Sequence, residues 1–468
     1  MRDALRWVCE AAKGAGAAFA DARAVDSTHT NLRRQDGKTD RLRQGTSLGV
    51  GIRVLLEGAW GFASTNETSR DDLKRCLEAA VDMAKASQAR VEEPGVVAAL
   101  DAHADEYAGP CEVDPRSVAV ERKMEVVNAL EAAALAQTQE RTANSFAWYG
   151  DEVTREIVCN TQGADIDQTV TRTRLGARVT AVEGEVRQNG VEHESSLGGF
   201  EVIERVEPTK LGGKAGGIAV MLLGAARAPS GKFPVILHPS IVGVFIHEAL
   251  GHNAEADHII SGDSILEGKF GTPVASELVT VVDDATIPLS WGSYQYDSEG
   301  TPGQRRMLIE NGVLKGYMHS LETAAKLGLE PNGSGRADGY ASRPIVRMSN
   351  TIVLPGASTL EDLAQGIDLG VLLEGGEWGY VMTAKGQYTC HAGRGRMIRN
   401  GQIAEPLRDV SVAGMILDTL ANVDGVTEAF EMLTMGGMCG KSGQSMPTNG
   451  GGPYLRVKEL IVGGQERV

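Results

Sequence analysis

The sequence predicts an α+β protein in two parts: a helix-plus-antiparallel-sheet region over residues 1–230 and a β-rich domain over 231–468. Three observations carry this. A helix-then-strands pattern appears twice in the first part, as in a duplication about residue 112. The composition changes around Ala226-Arg-Ala-Pro-Ser-Gly-Lys232, beyond which glycine clusters separate short alternating strands. The length of 468 residues, 42% hydrophobic and 23% charged, suits two large domains or three smaller ones with a sizeable core.

The elements follow in order. Leu5, Val8, Cys9 and Ala12 recur at helical spacing, which predicts a helix within residues 1–20. Residues 19–25 and 46–56 alternate as strands, and Glu57-Gly58 reads as a hairpin turn into 59–63. Asn66-Glu-Thr-Ser69 looks like the cap of an amphipathic helix over 71–89. Asp114-Pro115 opens a second long helix over 118–138. Strand-like runs follow at 142–149, 155–161 and 165–182, and Glu183-Gly184 echoes the earlier turn. The second domain begins with a strand at 232–237. Asp297-Ser-Glu-Gly-Thr-Pro-Gly303 reads as a turn that positions its neighbours. Gly450-Gly-Gly-Pro453 reads as a turn before the last strand, since it lacks the Lys-Ser/Thr ending and following helix of a phosphate loop.

Composition narrows the function. Lys and Arg total 46 against 62 Asp and Glu, a net charge of −16, so the chain lacks the basic footprint of a nucleic-acid binder. With 5 Trp, 9 Tyr and 8 Phe it is also short of base-stacking platforms. The longest apolar run, 217–226, is about half of the ~20 residues that cross a bilayer. Charge near the N-terminus falls where a signal peptide has its apolar core. The expectation is a cytoplasmic protein with no membrane partner. The six cysteines are far apart and form no CxxC pair, which is not a disulfide framework.

One segment carries chemistry. Residues 241–252, Ile-Val-Gly-Val-Phe-Ile-His247-Glu248-Ala-Leu-Gly251-His252, form an apolar helix pattern ending in His-Glu-x-x-x-His. In the zinc motif His-Glu-x-x-His, the two His lie about 40° apart around a helix and face one ion. At i+5 they would point about 140° apart on a regular helix. A shared metal therefore needs the helix to stop or bulge, and Gly251 can supply this by taking positive φ and ending it. Neutral imidazoles suit zinc, and Glu248, next to the first His, can act as general base toward an activated water. The motif alone equally fits His247 capping a buried helix and Glu248 in a surface ion pair. A metal needs a third ligand. Glu255, Asp257 and His258 lie just downstream, and His319 and His391 further off. Cys439 sits in the glycine-dense loop Gly436-Gly-Met-Cys439-Gly-Lys-Ser-Gly-Gln444, where a thiol would be exposed.

Beyond the motif, the match continues through Asn253-Ala-Glu-Ala-Asp257, Asp297–Gly303, and Leu308-Ile-Glu-Asn-Gly-Val-Leu-Lys-Gly-Tyr-Met318. It goes on through Arg347-Met-Ser-Asn-Thr351, Leu354-Pro-Gly and Cys439-Gly-Lys-Ser-Gly-Gln-Ser445. With these segments the C-terminal half resembles the TldD/PmbA family of metalloproteases, in its TldD-like, metal-binding branch. The resemblance implies a zinc peptidase with His247, His252 and Cys439 as ligands and Glu248 as catalytic base. Glu255 and Asp257 fall within the motif, either as acceptors for the ligand imidazoles or as a solvated loop. The family resemblance further implies a homodimer, or a heterodimer with a PmbA/TldE-like subunit, around a cavity that takes unfolded or modified peptides. Glu374-Gly-Gly-Glu-Trp-Gly-Tyr380 and Cys390-His391 depart from the family pattern, which bears on substrate selection. Two other functions are compatible with the sequence: a non-catalytic scaffold subunit of a hetero-oligomeric protease, which the intact ligand set argues against, and a zinc amidase acting on a small non-peptide amide.

Overall fold

Apolar alternation in the first part builds one seven-stranded sheet. A computed structural model describes residues 1–464, leaving aside the side chains of Glu377 and Trp378. The strands are β1 (Phe19–Gln35), β2 (Lys38–Leu56), β3 (Ala59–Thr65), β4 (His103–Ala108), β5 (Thr142–Asn160), β6 (Ala164–Glu183) and β7 (Val186–Leu197). They run β3-β2-β1-β5-β6, with β7 and β4 sharing the far edge of β6. All pair antiparallel except β4, which is parallel to β6. Helices α1 (Arg2–Gly14) and α2 (Arg70–Ser87) pack on the β1–β3 half. Helices α3 (Val120–Thr138) and α5 (Pro208–Leu223), the latter entered through the short α4 (Glu201–Val206), pack on the β5–β7 half.

The two halves repeat as helix, three-stranded meander, helix, joined across β1 and β5. Equivalent glycines mark the repeat. Gly61 of β3 runs beneath the Ala80 carbonyl in α2, and Gly190 of β7 beneath the Ala215 carbonyl in α5; a Cβ at either would overlap that oxygen. Two local expectations need correction. Residues 142–160 form one strand, not two, because the polar middle is buried: Asp151 accepts from Lys123 Nζ at 2.6 Å inside the core. The turn after β6 is Gly184-Glu185, not Glu183-Gly184, since Glu183 pairs with Val186 and Gly184 takes φ +60°.

From residue 226 onward, thirteen strands form the second sheet among the described residues. Five of them, Gly231–Leu237, Leu369–Met382, Gln387–Arg399, Val410–Met415 and Gln444–Gly464, pair in succession and close a ring. The expectation of short strands separated by glycine clusters fails here. Gly375 and Gly376 lie inside one long strand, and Gly450–Gly452 inside another of 21 residues. The triple glycine is not a turn but the bed of α6 (Pro239–Ile246). A Cβ at Gly450 would stand 2.7 Å from the Gly243 carbonyl oxygen, and one at Gly452 2.5 Å from Val242 Cγ1. Ile241, Val242, Phe245 and Ile246 of this helix are buried in the second core.

The turn at Asp297 forms as expected, and it is buried. Asp297 Oδ1 accepts the N–H groups of Glu299 and Thr301, each at 2.9 Å. Glu299 then joins the two sheets by accepting from Arg53 of β2 at 2.8 Å, and Arg53 also pairs with Asp21 of β1. Among the described residues, no helix is long and apolar enough to cross a membrane.

Candidate metal centre

The apolar sequence of α6 buries the helix, and its C-terminal end delivers His247 and Glu248 to a cleft. Past Ile246 the helix widens: residues His247–Gly251 form a single π turn, closed by the His252 N–H donating to the His247 carbonyl. In a turn closed by an i→i+5 bond, residues five apart lie on one side. The two imidazoles are therefore neighbours, with ring centroids 5.2 Å apart. The expected bulge exists, but Gly251 does not make it through positive φ. Its φ and ψ are −52° and −57°, ordinary helical values. Its lack of a side chain serves packing instead, since a Cβ there would overlap Met348 Sδ.

Cys439 arrives from far along the chain. It lies in strand Gly437–Lys441, which forms a hairpin with strand Gln444–Gly464. The turn between them is Ser442-Gly443, with φ +51° and +77°, as a tight two-residue hairpin requires. The expected exposed loop is thus a strand, and the thiol is buried. Cys439 Sγ stands 3.4 Å from His252 Nε2. Donor atoms of His247, His252 and Cys439 all lie within 4.8 Å of one another. Burial opposes ionisation of the thiol, but the two imidazoles overcome it and bring its pKa down to about 4. Burial likewise opposes charge on His252, yet Glu255 and Cys439 raise its pKa well above the ordinary value.

Glu248 lines the same cleft, a space of about 340 Å³, together with His247, His252 and Cys439. Burial pushes its carboxyl up. It has room because strand Leu369–Met382 passes it at Gly379, where a Cβ would come within 2.7 Å of Glu248 Cγ.

Around this set the remaining expected residues divide. Glu255 is fully buried and accepts from His252 Nδ1 at 3.1 Å, so it orients that ring. Burial favours the neutral acid, but Lys441 and His252 override it and hold the Glu255 carboxyl at about 2. Among the described residues, Asp257 bonds to no imidazole and instead accepts from Lys441 Nζ at 2.7 Å. His258 uses Nδ1 on the His252 carbonyl at 2.9 Å. It stands outside the three-donor cluster, as do His319 and His391. Sequence reasoning missed three supports. Lys441 bridges Glu255 and Asp257. Arg347, fully buried, donates to the Cys439 carbonyl and approaches Glu255 at 3.9 Å. Gly379 makes room for the acid. Lys441 and Arg347 stand within segments already singled out, but only tertiary contact gives them a role.

With this geometry in view, similarity to known proteins is informative. Models of the PmbA/TldA metallopeptidase match domain 1 at residues 20–84, the central domain at 113–223 and the C-terminal domain at 230–464. A Methanothermobacter thermautotrophicus protein named metalloprotease is 41% identical over 446 residues, covering 95% of each chain. A Saccharolobus solfataricus protein named zinc metalloprotease TldD homolog is 27% identical over 460 residues, covering 96% of this chain and 97% of the other. The crystal structure of TldE from Thermococcus kodakarensis superposes with a TM-score of 0.79 at 17% identity, covering 98% of this chain and 100% of that one, which shows the shared fold. The family models together span most of the sequence, including both halves of the duplicated sheet and the whole of the domain that carries the His-Glu-x-x-x-His turn; the chain belongs to the PmbA/TldD metallopeptidase family.

Proposed function

We propose that this chain is a zinc-dependent peptidase that cleaves unfolded or modified peptides, with His247, His252 and Cys439 as the metal ligands and Glu248 as general base. The observation that carries the reading is the convergence of the π-turn histidines with a thiolate from a distant hairpin. The donor set suits zinc: ligands at 2.0–2.3 Å in a tetrahedral site stand about 3.4–3.6 Å apart, and the Cys439–His252 separation is 3.4 Å. The zinc-metalloprotease name of a relative points the same way.

Zinc, when bound, supplies a Lewis acid that polarises the peptide carbonyl and activates water. The protein does the rest. Glu248 takes the proton of the attacking water at a carboxylate oxygen and delivers it to the leaving amine nitrogen, and its raised pKa suits that two-way transfer. Glu255 holds the Nδ1–H of His252, leaving Nε2 as the donor toward the site. Among the described residues, strand Gly437–Lys441 pairs on one edge alone, so its other edge is open to an extended peptide. Lys441 and Gln444 flank the two-residue turn as a hydrogen-bonded pair, which turns the main-chain groups of Met438 and Gly440 toward that open edge. The six unpaired cysteines fit a reducing cytoplasm. The proposed assembly is a homodimer or a heterodimer with a PmbA/TldE-like subunit.

Elemental analysis tests the site: about one zinc per chain is expected, and most of it lost in Cys439→Ala. Cleavage of a mixed unstructured peptide pool, abolished by chelator and restored by zinc, tests the activity. Full zinc occupancy in Cys439→Ala, or chelator-resistant cleavage, would refute the reading. Light scattering should give a dimer, alone or with the partner subunit.

A further inference from the structure

We propose that Arg174, supported by Arg172, forms a carboxylate-binding subsite that reads an acidic side chain or the free C-terminus of the peptide away from the cut. This rests on the peptidase reading above.

A cavity of about 210 Å³ lies between the first sheet and the catalytic hairpin. Its lining includes Arg172, Arg174, Glu152, Trp291 and Met438. Met438 also lines the catalytic cleft, so the two spaces meet at one partly exposed side chain. Strand alternation aims the arginines. Leu175, Ala177 and Val179 of β6 face the helices, which leaves Arg172 and Arg174 on the opposite face.

Among the described residues, neither guanidinium group forms an ion pair with a carboxylate. Arg172 donates from Nε and Nη2 to the carbonyls of Trp291 and Ser293, each at 3.1 Å, which fixes its position. Among the described residues, Arg174 makes no hydrogen bond or ion pair; its guanidinium carbon stands 6.0 Å from the Trp291 ring centroid. Gly150 leaves it space, since a Cβ there would stand 3.2 Å from Arg174 Nε. Burial lowers the pKa of both arginines, the cost of holding such groups away from water. A guanidinium offers five donors in a planar fork that matches a carboxylate bidentately.

Nearby acids do not satisfy it. Asp151 is committed to Lys123 at 2.6 Å, and Glu156 lies 3.5 Å from Arg23. Glu152 faces the same cavity and its charge partly offsets the effect of burial on both arginines, but among the described residues it forms an ion pair with neither. The cavity is lined by two arginines and two carboxylates, Glu152 and Asp151, and with Asp151 paired to Lys123 the arginines outnumber the acids left to meet them, in a chain of net charge −16. A peptide carboxylate would supply the missing partner, and its charge-assisted bonds would be made where water is partly excluded.

The test measures binding without turnover, in the zinc-loaded full chain carrying Glu248→Gln. Labelled unstructured peptides differ at one walked position (Asp, Asn or Lys) and end in a free carboxylate or an amide. Fluorescence anisotropy should show at least one carboxylate arm binding about tenfold or more tighter than its amide counterpart, a difference of about 1.4 kcal/mol. Which arm does so, side chain or C-terminus, identifies the source. Adding Arg174→Met should bring the ratio toward one, Arg174→Lys should recover part of it, and Arg174→Glu should reverse it in favour of the Lys peptide. Equal binding of acidic and amide peptides before Arg174 is changed overturns the subsite, and so does a preference that survives Arg174→Glu. Failure of every peptide to bind would overturn the peptidase reading itself.

Discussion

Glu248 is the residue on which the proposed catalysis and the proposed metal binding can be separated. It touches the cleft without belonging to the three-donor cluster. Glu248→Gln keeps its size and loses its base, so peptide cleavage should fall about 10²–10⁴-fold. Zinc content should not change, because no proposed ligand atom is lost; stopped assays with parallel metal analysis check both. Near-normal turnover would place the base elsewhere, and loss of zinc would make Glu248 a ligand. The type and order of these residues were legible in the sequence, and Cys439, which the fold brings beside the two histidines, was among six candidates. Elimination among those six needed the fold. His258 is held by a backbone carbonyl, while Glu255 and Asp257 are engaged by Lys441.

At the scale of elements, glycine decides how closely the site helix can lie on its sheet. Gly450 and Gly243 meet backbone to backbone. Gly450→Ala should pry α6 from the strand and destabilise by about 1–3 kcal/mol, as overpacking of a dense core does. Urea midpoints check the stability, and zinc retention should weaken alongside it because His247 follows directly from α6. A surface element gives a pH test independent of the metal. Burial, reinforced by Glu192, raises the Glu194 carboxyl of β7 to about 7. A carboxyl raised in the folded state contributes fully below its unfolded value near 4.3, and that contribution is lost as pH rises through about 7. Stability should therefore decline between about pH 4.5 and 7. Glu194→Gln should flatten that slope, leaving the variant more stable at pH 8 by about 1 kcal/mol after solvent screening. Denaturation midpoints at pH 5 and 8 decide it, and an unchanged slope would refute it.

For the whole molecule, the two sheets are held in register by buried charge. Arg53 lies between Asp21 of its own sheet and Glu299 of the second domain, all three removed from water. Arg53→Met would strand two carboxylates and should cost about 3–5 kcal/mol, read as a fall in the urea midpoint. A loss under 1 kcal/mol would mean that the apolar contacts alone set the arrangement. This packing also sets the arginine-lined cavity of β6 beside the Cys439 hairpin, so the proposed carboxylate subsite depends on how the two sheets meet.

Family resemblance singled out Cys439 among six donors; by itself, the sequence determined the α+β class, the helix–meander repeat and the chemistry-bearing helix end. Those follow from local periodicity, capping and residue type, which need no knowledge of neighbours. Tertiary structure alone decided the rest. A five-residue histidine spacing becomes a shared face only when a π turn forms, and no local signal separates that turn from a helix end at Gly251. Glycine clusters read as breaks because nothing in the sequence shows the helix that lies on Gly450 or the acid that lies under Gly379. Polar runs read as gaps because Asp151 is paired from another element. In each case the deciding energy is a contact between residues far apart in the chain, and only the folded molecule supplies it.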